Sequence, residues 1–275
     1  MGTFHSKFKA LRNALGYRND GDSTTGSCTH YAEMAINAWL LGPTEYAVFL
    51  KRRQLIDSQY ETLAADIQAI WQKLKKAPHT AKETKERAAS RSITPDEQEK
   101  LDVAAFMEGD LYQKPRQYHR VFGKPLGQAH TALISPFVEA DALRVHGGRA
   151  LLASHGEIYN QDELKRYLTN LIQHTQHANE DIALSLDSGD HRIALCYRAT
   201  TASWTLINSN HEIPEKYSNL SSDQLTNTIY ESFFATPTDL VGHQYSQTIG
   251  MTVLRCHEGR GATIPWRAEI SLRLR

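Results

Sequence analysis

Three cysteines in 275 residues, Cys28, Cys196 and Cys256, are too few and too widely spaced for a disulfide framework or a clustered metal centre. They read as free thiols. Charge of either sign is not in excess, since 31 basic and 31 acidic side chains cancel. Nothing in the overall balance asks for nucleic acid or an anionic membrane as partner. No stretch approaches the roughly 20 apolar residues of a membrane span. Residues 1–14 are amphipathic and basic, with Lys7, Lys9 and Arg12, but lack the continuous apolar run of a secretory signal, so Sec-type export from this segment is not expected. Phosphate-loop, dinucleotide and G-x-S-x-G signatures are missing, which argues against cofactor chemistry and a serine nucleophile. His174 and His177 fall at i and i+3 near a helix end, short of the convergent set that zinc wants, so no metal is expected.

What is present is enough apolar sequence for a core without staples, two-fifths of the chain. Apolar residues at helical spacing predict a helix over 28–41, with Ala32, Ala35, Ile36 and Trp39 on one stripe and Gly42-Pro43 as the stop. A second, long helix is expected from about Glu45 to Lys75, with room for one break. Residues 78–100, charged and poor in apolar side chains, read as a solvated loop or mobile helix, and 101–118 as a short helix. After about Gly127 the pattern becomes strands and turns. Strands are expected at HTALISPFV, ALRVHGG and RALLASHGEIY, then at 182–188, 191–198 and 203–210, with a last one in QYSQTIGMTVLRCH. Helices are expected at 161–174, capped by Asn160, and at about 222–234. Helices first and antiparallel strands second make an α+β fold, one domain over 1–275 with a helical half to about 125 and a sheet half beyond.

One constellation carries chemistry. Cys28 follows Gly26-Ser27 at the start of a predicted helix, where first-turn N–H groups and the positive end of the macrodipole favour thiolate over thiol. His191 opens a strand, and the next strand ends in Asn208 and Asn210. With the hairpin turning near Thr200-Thr201, residues 208–210 come opposite or diagonal to His191. A base oriented by an amide fits a thiol nucleophile, because asparagine fixes the imidazole tautomer without adding charge. Asn208 is preferred, Asn210 second. The backbone N–H of Cys28 and a donor from residues 19–23 would form the oxyanion hole. Cys196 and Cys256 are expected in the core, without function.

The segments GSCTHYAEMAINAWLLG, GDHRIALCY and WTLINSN together resemble the papain-like (clan CA) cysteine proteases, especially the YopT-like and related Legionella-type effectors that bacteria inject into host cells. LDVAAFMEGDLYQKPRQY and YNQDELKRYLTNLI are similar to segments that accompany the triad there. The resemblance implies a papain-like fold, with a nucleophile helix packed on a C-terminal antiparallel sheet. It also implies a Cys28, His191, Asn208 triad, a host protein as substrate, and delivery by a bacterial secretion system into the host cytoplasm. Those effectors usually carry Asp in the third position, where this chain has Asn208, and Gly where it has His30. The same thioester chemistry would serve deamidation or transglutamination, and the contrasting reading is a non-catalytic binding module on the same scaffold.

Overall fold

Phe4, Phe8 and Leu11 recur at i, i+4 and i+7 in the first helix, α1 (Phe4–Ala14), and all three are buried. The structure, a computed structural model, describes residues 4–16, 27–75, 93–108, 143, 147–175, 180–188, 191–211, 217–233 and 247–256. α2 (Ser27–Leu40) and α3 (Pro43–Lys75) complete the first helical layer. α2 is buried nearly all round, including Tyr31, Met34 and Ala35, rather than along one stripe, because α1 and α3 cover one side and the sheet the other. α3 runs unbroken for 33 residues, with Pro43 in its first turn where a missing N–H costs nothing. Among the described residues no helix is long and apolar enough to cross a membrane.

α4 (Pro95–Glu108) makes the last six positions of residues 78–100 helical, one of the two alternatives expected for that stretch, and runs on into the helix expected from 101. Thr94 Oγ1 accepts from the Glu97 N–H at 3.2 Å, and a Glu97 carboxylate oxygen accepts from the Thr94 N–H at 2.9 Å, a reciprocal cap that starts a helix despite its polar sequence. Lys73 of α3 pairs with Glu97. Residues 109–118 of the expected short helix lie outside the described residues, as do HTALISPFV and most of ALRVHGG. Of the latter's described residues, Leu143 is helical and Gly147 and Gly148 lie at positive φ outside any strand.

The sheet contains β1 (Arg149–Tyr159), β2 (Ile182–Ser188), β3 (His191–Arg198), β4 (Ser203–Ile207) and β5 (Gln247–Cys256) in the order β1-β5-β2-β3-β4, every neighbouring pair antiparallel. β4 stops three residues short of expectation, because Asn208 leaves the ladder to make a turn: its Oδ1 accepts from the Asn210 N–H at 2.9 Å. A one-turn 3-10 segment, Ala199–Thr201, joins β3 to β4, with Ala202 at φ 48°. α5 (Gln161–Thr175) begins with Asn160 and Glu163 capping each other reciprocally, both bonds 2.9 Å. With α6 (Ser222–Phe233) it covers the second face of the sheet.

The fold is therefore α+β in three layers. Ala183, Ala194, Cys196, Ile207 and Leu254 of the sheet pack toward α1, α2 and α3. Ile182, Leu184, Leu186, Ile193, Leu195 and Leu206 pack toward α5 and α6. With both faces covered, β2 and β3 read as nearly continuous apolar runs.

Candidate active site

Two ties fix α2 against β3, and both run in the same direction along the pair. Midway along α2, Glu33 forms an ion pair with Arg192, the second residue of β3, at 3.5 Å and accepts from Arg149 Nη1 of β1 at 2.7 Å. Arg192 in turn donates through Nε to Asp187 of β2. Glu33 and Arg192 are both 0% exposed. Near the end, the Trp39 indole N–H donates to the Tyr197 carbonyl at 2.8 Å, and the Arg198 guanidinium lies 4.1 Å over the Trp39 ring while pairing with Asp181. Since 33 meets 192 and 39 meets 197 and 198, the start of α2 and the start of β3 lie at the same end of the molecule. Cys28, in the first turn of α2, and His191, the first residue of β3, belong to that end.

His191 Nε2 and Asn208 Oδ1 are 2.9 Å apart. The amide oxygen only accepts, so Nε2 carries the proton and Nδ1 is the ring's basic nitrogen. Asn208 is 3% exposed, and its Nδ2 also points toward His211 Nε2 at 3.5 Å. Asn210, the second choice for the third position, is exposed and meets Asn208 through its backbone N–H. The β3–β4 register explains the preference: Ala194 pairs with Ile207, so continuing the ladder would set His191 opposite 210 and diagonal to 208. The turn brings the diagonal residue in.

Cys28 is not in a disulfide and is 4% exposed. No acidic side chain stands in the first turn of α2 to oppose a thiolate. Cys196 is also buried and not in a disulfide, but it packs among Ala183, Ala194 and Ile207 on the face toward α1, α2 and α3, and burial pushes its pKa far up, keeping it protonated and inert. Cys256 lies in β5. The loop 19–23, nominated for an oxyanion donor, lies outside the described residues, as does His177. Among the described residues no group of three His, Cys, Asp or Glu side chains could hold a metal ion.

Sequence reasoning missed several residues around this end. His211 is stacked on Tyr217, ring centroids 3.9 Å apart. Burial first, then the charges of Arg53 and His191, push its pKa down to about 4, so it is neutral near pH 7. His5 of α1 is shifted downward too, by burial and then by His191, Lys9 and Arg12. Phe233, closing α6, meets His191 edge to face at 6.2 Å. Glu33 left a trace, as the one carboxylate in an otherwise apolar helix. Arg53 left another, since it interrupts the buried stripe of α3 between Phe49 and Ile56. Their distant partners, Arg149 at 116 residues from Glu33 and His211 at 158 from Arg53, left none.

Compared with known proteins, the chain matches no family model, no curated protein and no solved structure.

Proposed function

We propose that the protein is a papain-like cysteine hydrolase in which Cys28 is the nucleophile, His191 the base and Asn208 the residue that orients the base. The observation that carries this reading is the 2.9 Å bond between His191 Nε2 and a buried Asn208 Oδ1. It leaves Nδ1 to accept a proton at the end of the molecule where a helix begins with a thiol. In the reaction the Cys28 proton passes to Nδ1 of His191, and Sγ forms a bond to the carbonyl carbon while the π pair moves onto oxygen. Collapse breaks the carbon–nitrogen bond, the amine leaves with the proton from His191, and a thioester remains. Water then attacks, its proton passes to His191, the carbon–sulfur bond breaks, and the acid departs as Sγ regains its proton. The backbone N–H of Cys28 serves as one oxyanion donor.

The substrate class is a peptide or isopeptide bond of a host protein. That assignment, delivery through a bacterial secretion system and membership among the YopT-like effectors rest on the resemblance of the three motifs. Formed from a glutamine side chain with loss of ammonia, the same thioester would give deamidation when water attacks it and transglutamination when an amine does. The low exposure of Cys28 favours one contrasting reading, a binding module whose thiol is sealed.

Labelling decides between them. Iodoacetamide or a peptidyl epoxysuccinate at mildly acidic pH, read by mass spectrometry, is expected to modify Cys28 in the wild type and to fail in His191→Ala. A thiol of ordinary pKa, about 8.5, reacts slowly at that pH. Equal or absent labelling in both proteins means the binding module.

A further inference from the structure

Arg53 stands on the buried stripe of α3, 4% exposed, in a position where a helix normally sets an apolar side chain. Its guanidinium lies 4.4 Å over the ring of Phe4 in α1 and 5.5 Å from that of Tyr31. Nη1 donates to Tyr31 Oη, and Nη2 donates to the carbonyl oxygen of His211. Tyr31 is one turn beyond Cys28 on α2. His211 closes the turn that Asn208 opens, its own N–H donating to the Asn208 carbonyl at 3.2 Å. One planar cation thus spans the helix that starts with the thiol and the turn that supplies the amide. Neither element makes this bridge through the sheet, because β4 has already ended at Ile207.

We propose that Arg53 is a positioning residue: its guanidinium clamps the turn 208–211 to Tyr31, so that Asn208 holds His191 in register with Cys28. The inference rests on the triad reading and deepens it. The fork geometry matters, since two donors on one rigid plane fix two acceptors at once, which an ammonium on a flexible stem does not. Burial behind the rings of Phe4 and Tyr31 keeps water from the bond to the Tyr31 hydroxyl, while the bond to the His211 carbonyl is partly buried. Among the described residues, His191 interacts electrostatically with His5 of α1 and with His211 in the turn; Lys9 and Arg12 in turn act on His5, and Arg53 on His211.

The test is the pH profile of Cys28 alkylation in the full-length chain, with thermal melts alongside, for wild type, Arg53→Lys and Tyr31→Phe. Tyr31→Phe keeps the ring that packs on Phe4 and Phe49 and deletes only the clamped hydroxyl. Arg53→Lys keeps the charge and loses the fork. Both are expected to fold and to move the profile toward that of an ordinary thiol, Arg53→Lys with a rate at pH 6 down by about 100-fold and Tyr31→Phe by less. A folded Arg53→Lys and a folded Tyr31→Phe that keep the wild-type profile overturn the clamp while leaving the triad intact. A wild type that lacks an acid-shifted profile overturns the triad itself, and the clamp with it. Leu184→Ala, destabilised on the far face of the sheet, is the control that a merely structural effect would resemble.

Discussion

The two faces of the sheet are built from different materials. Toward α5 and α6 the buried side chains are aliphatic and aromatic: Leu164, Leu168, Leu184, Leu195, Leu206 and Ile229. Toward α1, α2 and α3 small apolar residues alternate with charge: Asp187, Arg192 and Arg198 project from the strands, and Glu33 and Arg53 from the helices. An apolar layer needs volume and little more, since burial is non-directional. A charged layer needs each partner at a set distance, because a buried ion without its counter-ion costs several kcal/mol. The directional contacts sit in the layer that carries Cys28, and they run between the helix of the thiol and the strand of the imidazole. Specificity of geometry, rather than stability, is what that layer adds.

The largest expected effect comes from removing one charge of the network. Glu33→Ala leaves the Arg149 and Arg192 guanidinium groups buried without their shared carboxylate, and is expected to cost about 3–5 kcal/mol in denaturant unfolding. Leu184→Ala in the other layer costs a comparable amount, about 2–5 kcal/mol. The pair is separated by repair. Replacing Glu33, Arg149, Asp187 and Arg192 together by Leu or Met of similar volume is expected to regain most of the stability but not the alkylation rate of Cys28. If the four-fold variant alkylates like wild type, the charged layer has no positional role and the contrast between the faces collapses.

Acid should also tell the layers apart. His211 has a folded pKa of about 4 against about 6.5 in an unfolded chain. The folded protein refuses a proton that the unfolded chain accepts, so stability is lost as pH falls from about 6.5 to about 4 and changes no further from this group below that. His5, shifted in the same direction, adds to the slope. His211→Gln is expected to flatten the dependence of the denaturation midpoint across this window. Leu184→Ala should lower the curve without changing its shape, and a His211→Gln curve as steep as wild type would contradict the assignment.

Periodicity and punctuation made the single elements legible. α2, α5, β2 and β3 follow from apolar spacing within a few residues, because each is decided by its own burial pattern. β4 ends early because Asn208 satisfies its turn with its own side chain, a local competition that alternation does not register. The start of α4 was written in Thr94 and Glu97, and the surrounding charge run masked it. Cys28, His191 and Asn208 could be nominated because thiol, imidazole and amide each stand at an element boundary. The supporting layer was not legible. Glu33 with Arg149, and Arg53 with His211, are pairings across 116 and 158 residues, settled by which faces meet once β5 has inserted between β1 and β2. A single sequence names the odd charge on an apolar face and not its partner.

The smallest effect tests whether the apolar layer can be loosened without touching the charged one. Asn160 and Glu163 close the first turn of α5 through two 2.9 Å bonds, far from α2, and the helix then lays Leu164, Tyr167, Leu168 and Leu171 onto the sheet. Asn160→Ala opens one donor of that turn and should cost about 1 kcal/mol in denaturant unfolding. The alkylation profile of Cys28 should not move, because the cap acts on a helix whose contacts with the sheet have no preferred register beyond volume. A cap variant that slowed alkylation would mean that strain crosses the sheet from one layer to the other. His191, which meets Phe233 of α6 on one side and feels His5 of α1 on the other, would then be the residue through which it passes.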